Sequence, residues 1–413
     1  MKLSPYRRLK TKITLSFSAL HNFMYMEAAG GITLFAAALL GLFFANSPLE
    51  SHYASLRETQ FSVALGHFSL EKPLLLWIND GLMAIFFLLV GLELKRELVE
   101  GHLSSFKRAI FPAIAAIGGM LVPAGIYFAM NYHDAKAIPG WAIPTATDIA
   151  FAMGIIALLG KRVPSALKVF LLSVAIFDDI GAIIIIAIFY TPHLSFTAMV
   201  VAAIFIAALF LINRMGVRRL APYFVLGVPL WVAVLESGIH ATLTGVILAL
   251  MIPLKKRSST STDTLPDEEA PLHRLIHDLH PWVAFGILPL FAFVNTGISF
   301  ADMHYASFWH HVPLGIMLGL FIGKPLGILG FTWVAVKLRI ARLGKGLQWR
   351  QVYGISIICG TGFTMSLFIA SLAAGQGGME YVGLDRLGIL GGSLISGVVG
   401  SLYLKRVCPT KRR

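Results

Sequence analysis

The chain has 413 residues, of which 57% are hydrophobic and 13% charged, where a soluble domain carries about 25% charged residues. Its formal net charge is +13 and its two cysteines, Cys359 and Cys408, lie far apart. These values exclude an ordinary soluble enzyme, a disulfide framework and a cysteine-based zinc site. Recurring runs of about 20 apolar residues, long enough to cross a bilayer as helices, indicate an all-α polytopic membrane protein.

The basic tail, residues 1–25, precedes the first span. Residues 13–26 are interrupted by His21 and Asn22 and lack a small-residue cleavage site, so they read as an interfacial helix and not as a cleavable signal. Twelve spans follow, near 27–46, 74–98, 109–131, 142–160, 164–189, 196–213, 221–235, 239–253, 281–300, 312–336, 351–373 and 387–404. The whole chain is one integral membrane unit: eight spans within 26–253, a polar Pro- and Ser/Thr-rich linker at 254–272, four spans within 281–404 and a basic tail at 405–413. Within the loop at 47–73, "QFSVALGHFSL" alternates Phe61, Val63 and Leu65 with smaller or polar residues and offers Gly66 as a turn, which predicts a short hairpin.

The fourth and eleventh spans carry interruptions. One opens with "AIPTATDIAF", where Pro144 and two threonines precede Asp148; the other contains "ICGTGFTMSLF", with Gly360, Thr361 and Gly362 together. Paired interruptions in two halves of a chain mark the central site of a transporter. The tenth span repeats glycine at 315, 319, 323 and 327, and the twelfth repeats small residues at 388, 392, 396 and 400. Such stripes let helices pack closely.

Charge distribution separates a topology signal from a nucleic-acid footprint. Twenty-nine of the 34 Lys and Arg residues fall on the side of the two tails; Arg57, Lys72, Lys136 and Arg386 fall on the other, and Lys324 lies inside a span. The positive-inside rule then places both termini in the cytoplasm, and a nucleic-acid partner is not expected. The remaining charges lie within spans. Asp178 lies ten residues beyond Lys168, about 15 Å along a helix, which is half of a hydrocarbon core about 30 Å thick. Each mid-span charge opposes insertion by about 2.5–3.5 kcal/mol, so Asp148, Asp178, Asp179 and Lys324 together cost on the order of 10 kcal/mol. One Asp–Lys pair would suffice to hold helices together; adjacent carboxylates with a further Asp point to ion handling. Asp178 and Asp179 diverge by about 100° on a helix, so one can meet Lys324 while the other faces a cavity. Burial and repulsion disfavour two charged carboxylates. Such a pair holds protons or a small hard cation, and sodium and lithium prefer oxygen ligands as hard ions do. Where broken helices cross, Asp148 can answer the positive N-terminal ends and Lys324 the negative C-terminal ends.

"INDGLMAIFFLLVGLELKREL", "PTATDIAFA", "FLLSVAIFDDIGAI", "SGIHATLTGV", "GKPLG" and "CGTGFTMSLFI" occur in an order and spacing that resemble the bacterial NhaA-type sodium–proton antiporters over essentially the whole chain. The resemblance implies twelve helices with inverted-topology repeats, helices three to five corresponding to ten to twelve. It also implies a homodimer held partly by the hairpin near 57–70, a bacterial cytoplasmic-membrane location and electrogenic, pH-regulated exchange. It makes Asp179 the sodium ligand and proton carrier and Asp178 the second member of the ion-binding, proton-carrying pair, able to pair with Lys324, with the second proton carried by either Asp178 or Lys324. Thr147 and Asp148 become the polar pair at the broken fourth helix. It assigns His240 to the pH response and Glu93, Arg96, Glu97, His277 and His280 to a cytoplasmic pH-sensing cluster. An acid can precede the histidine matched by His277, where this chain has Ile276. The histidines can equally be solvated interfacial residues, and Asp80 either an outer-vestibule residue or a helix-end charge. No cofactor is expected, since Na+, Li+ and H+ would be substrates. A sodium-coupled symporter of an organic solute is the alternative; an intramembrane aspartyl protease fits poorly, because it needs two carboxyls converging on one water.

Overall fold

The computed structural model describes residues 28–66, 68–191, 194–254, 270–301, 305–344, 346–375 and 378–408. The expected interfacial helix at 13–26, most of the linker and the end of the C-terminal tail lie outside them. Among the described residues, nine helices are long and apolar enough to cross a membrane, and a bent helix pair adds a tenth candidate.

Helix α1 (Ala28–Ala45) leads through a short α2 (Glu50–Glu58) into strands β1 (Gln60–Leu65) and β2 (Phe68–Pro73). The strands are antiparallel, with Gln60 opposite Pro73 and Leu65 opposite Phe68. Gly66 sits in the connecting turn at φ +61°, a conformation open to glycine at little cost. This is the hairpin expected from the alternation of Phe61 and Val63. It marks one end of the bundle, called here the hairpin end; the opposite end carries most of the described Lys and Arg residues and is called the basic end.

Helix α3 (Leu74–Val99) runs from the hairpin end to the basic end, and α4 (Phe106–Asn131) returns. Next come a 3₁₀ segment, Ile138–Thr145, and α5 (Ile149–Leu159), separated by backbone that turns extended at Ala146 and Asp148. The tyrosines of two neighbouring helices pin the 3₁₀ segment: the Tyr127 hydroxyl donates to the Ala137 carbonyl (2.8 Å) and that of Tyr190 to the Pro139 carbonyl (2.6 Å). Helix α6 (Ser165–Phe189) carries the adjacent aspartates. Then come α7 (Phe196–Arg214), α8 (Ala221–Glu236) and α9 (Leu243–Met251). The last two are 16 and 9 residues long, and α9, at 1.5 Å per residue, is too short to cross a bilayer alone.

Helix α10 (Pro271–Thr296) starts ten residues before the expected ninth span. Its first turns are amphipathic: Leu272, Leu275 and Ile276 are buried while Asp278 is exposed, so the polar letters of "HRLIHDLH" concealed a helix with one apolar face. Proline at its first turn suits a helix start. Helix α11 (His311–Lys337) follows, then α12 (Trp349–Ile358) and α13 (Phe363–Gly375), bent by 48° across Cys359–Gly362, and last α14 (Leu384–Val407).

The glycine stripes are packing surfaces. A side chain on Gly327 of α11 would meet the Gly118 carbonyl of α4, and one on Gly388 or Gly400 of α14 would meet Pro313 or Ile358. Small residues thus bring backbones into near contact. Among the described residues three helices also contain a π turn: Ile78–Leu82 in α3, Val283–Ile287 in α10 and Gly319–Gly323 in α11. The first contains Asp80 and the third directly precedes Lys324, in keeping with the concentration of π turns at functional positions.

Candidate functional site: crossed helix breaks around buried aspartates

The two interrupted segments meet at mid-bundle. The Asp148 amide donates to the Thr361 carbonyl (2.8 Å), joining one break to the other by main chain. Around this crossing, Thr147, Asp148, Asp178, Asp179 and Lys324 are at most 1% exposed. The structure therefore brings together all five residues singled out as the central polar group.

Asp148 caps two helices at once. One carboxylate oxygen accepts from the Phe151 amide of α5 (2.9 Å); the other accepts from the amide (2.9 Å) and hydroxyl (2.5 Å) of Thr364 in the first turn of α13. Both helices point their positive N-terminal ends at this acid. Ser393 of α14 adds a second cap to α13, its hydroxyl accepting from the Phe363 amide (3.1 Å).

Lys324 makes its hydrogen bonds to side chains. Its ammonium lies 2.6 Å from Asp178 Oδ2 and donates to the Thr147 hydroxyl at 2.9 Å. The carbonyl end of α12 is reached by Thr147 instead, whose hydroxyl lies 2.9 Å from the Cys359 carbonyl and 2.6 Å from Asp178 Oδ2. A hydroxyl has one proton, so Thr147 donates to one of these oxygens at a time while accepting from Lys324.

Asp179 contrasts with both neighbours. Neither of its oxygens has a hydrogen-bond partner among the described residues, nor does Asp178 Oδ1. A fully buried carboxylate without donors requires a proton or a cation as companion. Carboxylate oxygens of this kind, both of Asp179 and Oδ1 of Asp178, are the hard donors that alkali cations favour. Exchange between companions is the chemistry this arrangement permits.

Toward the basic end, a cavity of about 80 Å³ lies between α1, α3, α5, α6 and α10. Glu93, Arg96 and His280 line it, and it reaches Ile149 and Ala150, next to Asp148. Glu97 sits beside Arg96 at 3.5 Å. His277 stands apart, 89% exposed and 3.7 Å from Asp278. Ile276 is buried in the core. A contact missed in the sequence, His273 Nε2 to Glu100 at 2.9 Å, bridges α10 and the end of α3.

At the hairpin end, Asp80 contacts Lys72 of β2 (2.9 Å) and lies 3.7 Å from His240 Nε2, while His240 Nδ1 is 2.7 Å from the Thr242 hydroxyl. Beyond the spans, Asp134 accepts from the Tyr381 hydroxyl (2.6 Å) and lies 3.1 Å from His311 Nε2. These bonds, the tyrosine's foremost, hold its carboxyl down at about 2. Lys136 pairs with Glu380 at 2.6 Å, which raises the lysine's affinity for its proton. Thr364, Ser393 and this hairpin-end cluster were missed from sequence. A threonine at the start of an apolar run was the available signal for the first.

A family model described as Na+/H+ antiporter 1 matches residues 21–404. Among similar proteins, the Na(+)/H(+) antiporter NhaA of Pseudomonas putida strain GB-1 is 55% identical over 379 residues, covering 92% of this chain and 95% of its own. That of Shewanella amazonensis is 54% identical, covering 95% and 98%. Na(+)/H(+) antiporter NhaA 1 of Syntrophotalea carbinolica is 53% identical, covering 95% and 97%. With the family match spanning nearly its full length, the chain belongs to the Na+/H+ antiporter 1 family.

Proposed function

We propose that this protein exchanges sodium or lithium for protons across a bacterial cytoplasmic membrane, with Asp179 as the principal ion-binding group. The observation that carries the reading is the contrast between the two adjacent acids. Asp178 is engaged by Lys324 and Thr147, whereas Asp179, equally buried, has no hydrogen-bond partner for either oxygen among the described residues. In the proton-loaded state Asp179 carries a proton. A cation entering from the cavity beside Ile149 and Ala150 displaces it and recruits Asp178 Oδ1 and the Thr147 hydroxyl. Withdrawing Asp178 from Lys324 destabilises the ammonium, so the Asp178–Lys324 pair gives up the second proton as a unit.

Two protons moving against one cation make the cycle electrogenic. The membrane potential then contributes about 2.3 kcal/mol per net charge per 100 mV. The basic end faces the cytoplasm, the side to which the sequence assigns 29 of the Lys and Arg residues, and twelve crossings bring both termini there. Glu93, Arg96, Glu97 and His280 at the cavity mouth form the cytoplasmic pH-responsive group, with His277 beyond it. Asp80 and His240 form the external vestibule. The exposed Phe61 and Val63 of the hairpin supply a homodimer contact. The donor set of acids and hydroxyls supports ion exchange without a cofactor and offers nothing for an organic solute, which removes the motive for the symporter reading.

Sodium added to proteoliposomes holding an acid interior should dissipate the pH gradient, and apparent sodium affinity should rise by up to about tenfold per pH unit for each proton displaced. Asp179→Asn should abolish the exchange while leaving the protein folded. Undiminished exchange in that variant would end the assignment.

A further inference from the structure

Phe368 of α13 lies four residues beyond Thr364, on the same face and one turn nearer the hairpin end. Its ring is completely buried. It meets Phe87 of α3 at 5.5 Å, His240 at 5.3 Å and Phe291 of α10 at 6.3 Å between centroids. Phe87 and Phe291 are likewise buried. On the hairpin side of this aromatic layer lies a polar one. Asn79 and Asn295 exchange side-chain amide bonds at 2.9 and 3.3 Å, and Asp80 faces His240. On the other side lie Asp148 and the carboxylate pair. Phe86, whose ring is 5.2 Å from that of Phe87, lines the cavity toward the basic end. Adjacent residues of α3 thus belong one to the seal and one to the cavity it closes.

We infer that Phe368 is the external gate of the transport path, a ring that closes the route between the aspartate site and the Asp80–His240 mouth. This rests on the proposed exchange function. Three apolar rings from three helices leave a hydrated ion no polar groups with which to replace its water. The gate is tied to the site it guards. The amide and hydroxyl of Thr364, one turn before Phe368, hold Asp148, so a shift of the α13 terminus during ion exchange moves the ring with it. The His240 ring meets the gate at 84° between ring planes while its Nε2 lies 3.7 Å from Asp80, which places an external titratable pair directly against the moving side chain. The other charged group facing that pair is Lys72 of β2, bound to Asp80.

The test uses the full-length protein in proteoliposomes, reading radioactive sodium entry with no pH gradient and with the membrane potential clamped. Proton movement per sodium is read in parallel. Phe368→Ala should raise passive sodium entry at least tenfold over the wild type and lower the proton-to-sodium ratio. Phe368→Leu, which keeps apolar bulk, should leak less than the alanine variant. If Phe368→Ala fails to fold, Phe87→Ala and Phe291→Ala carry the same test through the other two rings. Exchange by the wild type together with alanine variants that stay tight overturns the gate, and so do alanine variants that are inactive without leaking. A wild type that exchanges nothing condemns the underlying transport reading instead.

Discussion

Replacing Lys324 by Met keeps an unbranched side chain of similar length but removes the ammonium from a site where it and Asp178 are both fully buried. Asp178 would keep only the Thr147 hydroxyl as a donor, and Lys324 would no longer donate to Thr147. Breaking a buried pair by removing one partner costs about 3–5 kcal/mol, because the remaining charge is left uncompensated. Removing both charges, Asp178→Asn with Lys324→Met, should recover most of the loss, since apolar or neutral replacements of buried pairs are often close to neutral. At about 2 °C per kcal/mol for a large domain, the single variant should melt roughly 6–10 °C below the wild type. The double variant should melt within a few degrees of it. The assay is detergent-solubilised thermal unfolding at matched lipid content, as a double-mutant cycle. A single variant as stable as the wild type, or a double variant no better than the single, would refute the reasoning.

Gly327→Ala should cost about 1–3 kcal/mol through overpacking, because the new methyl would meet the Gly118 carbonyl of α4; thermal melting measures it. Thr364→Val removes a hydroxyl donor from Asp148, leaving the amide bond. Hydrogen bonds to charged groups are worth about 1.5–3 kcal/mol. The expected result is a raised apparent KM for sodium, restored by Thr364→Ser. Tyr381→Phe removes the hydroxyl that does most to hold the Asp134 carboxyl down at about 2. A lowered folded value stabilises above the ordinary carboxylate range and loses its effect as pH falls toward 2. The melting temperature of Tyr381→Phe should therefore trail the wild type at neutral and alkaline pH, with the gap closing below about pH 4.

The presence of the central acids was legible because charge at mid-span is costly and Asp178 and Asp179 interrupt an otherwise apolar run. The crossing of two breaks was legible in Pro144 and in Gly360 and Gly362. Partner choice was not. A rotation of 100° says that Asp178 and Asp179 face different ways but not which one faces α11. That is decided by the helix packing around Gly118 and Gly327 and by the π turn at Gly319–Gly323, which shifts Lys324 by one residue against the helical period. The double cap at Asp148 was half legible: the acid announces a helix start, whereas Thr364 lies 216 residues away in sequence. The start of α10 was misread because hydropathy averages over a helix that is apolar on one face alone. The aromatic layer at Phe368 left no trace, since phenylalanines in apolar spans are unexceptional until the helices are assembled.

The central claim is that one buried group of carboxylates takes protons or an alkali cation in competition. Titration calorimetry of the purified protein with sodium chloride, repeated in buffers of different ionisation enthalpy, counts the protons released on binding. More than one and at most two protons should leave per sodium bound, with Asp179→Asn showing neither binding nor release. Sodium binding with no proton release would contradict the account.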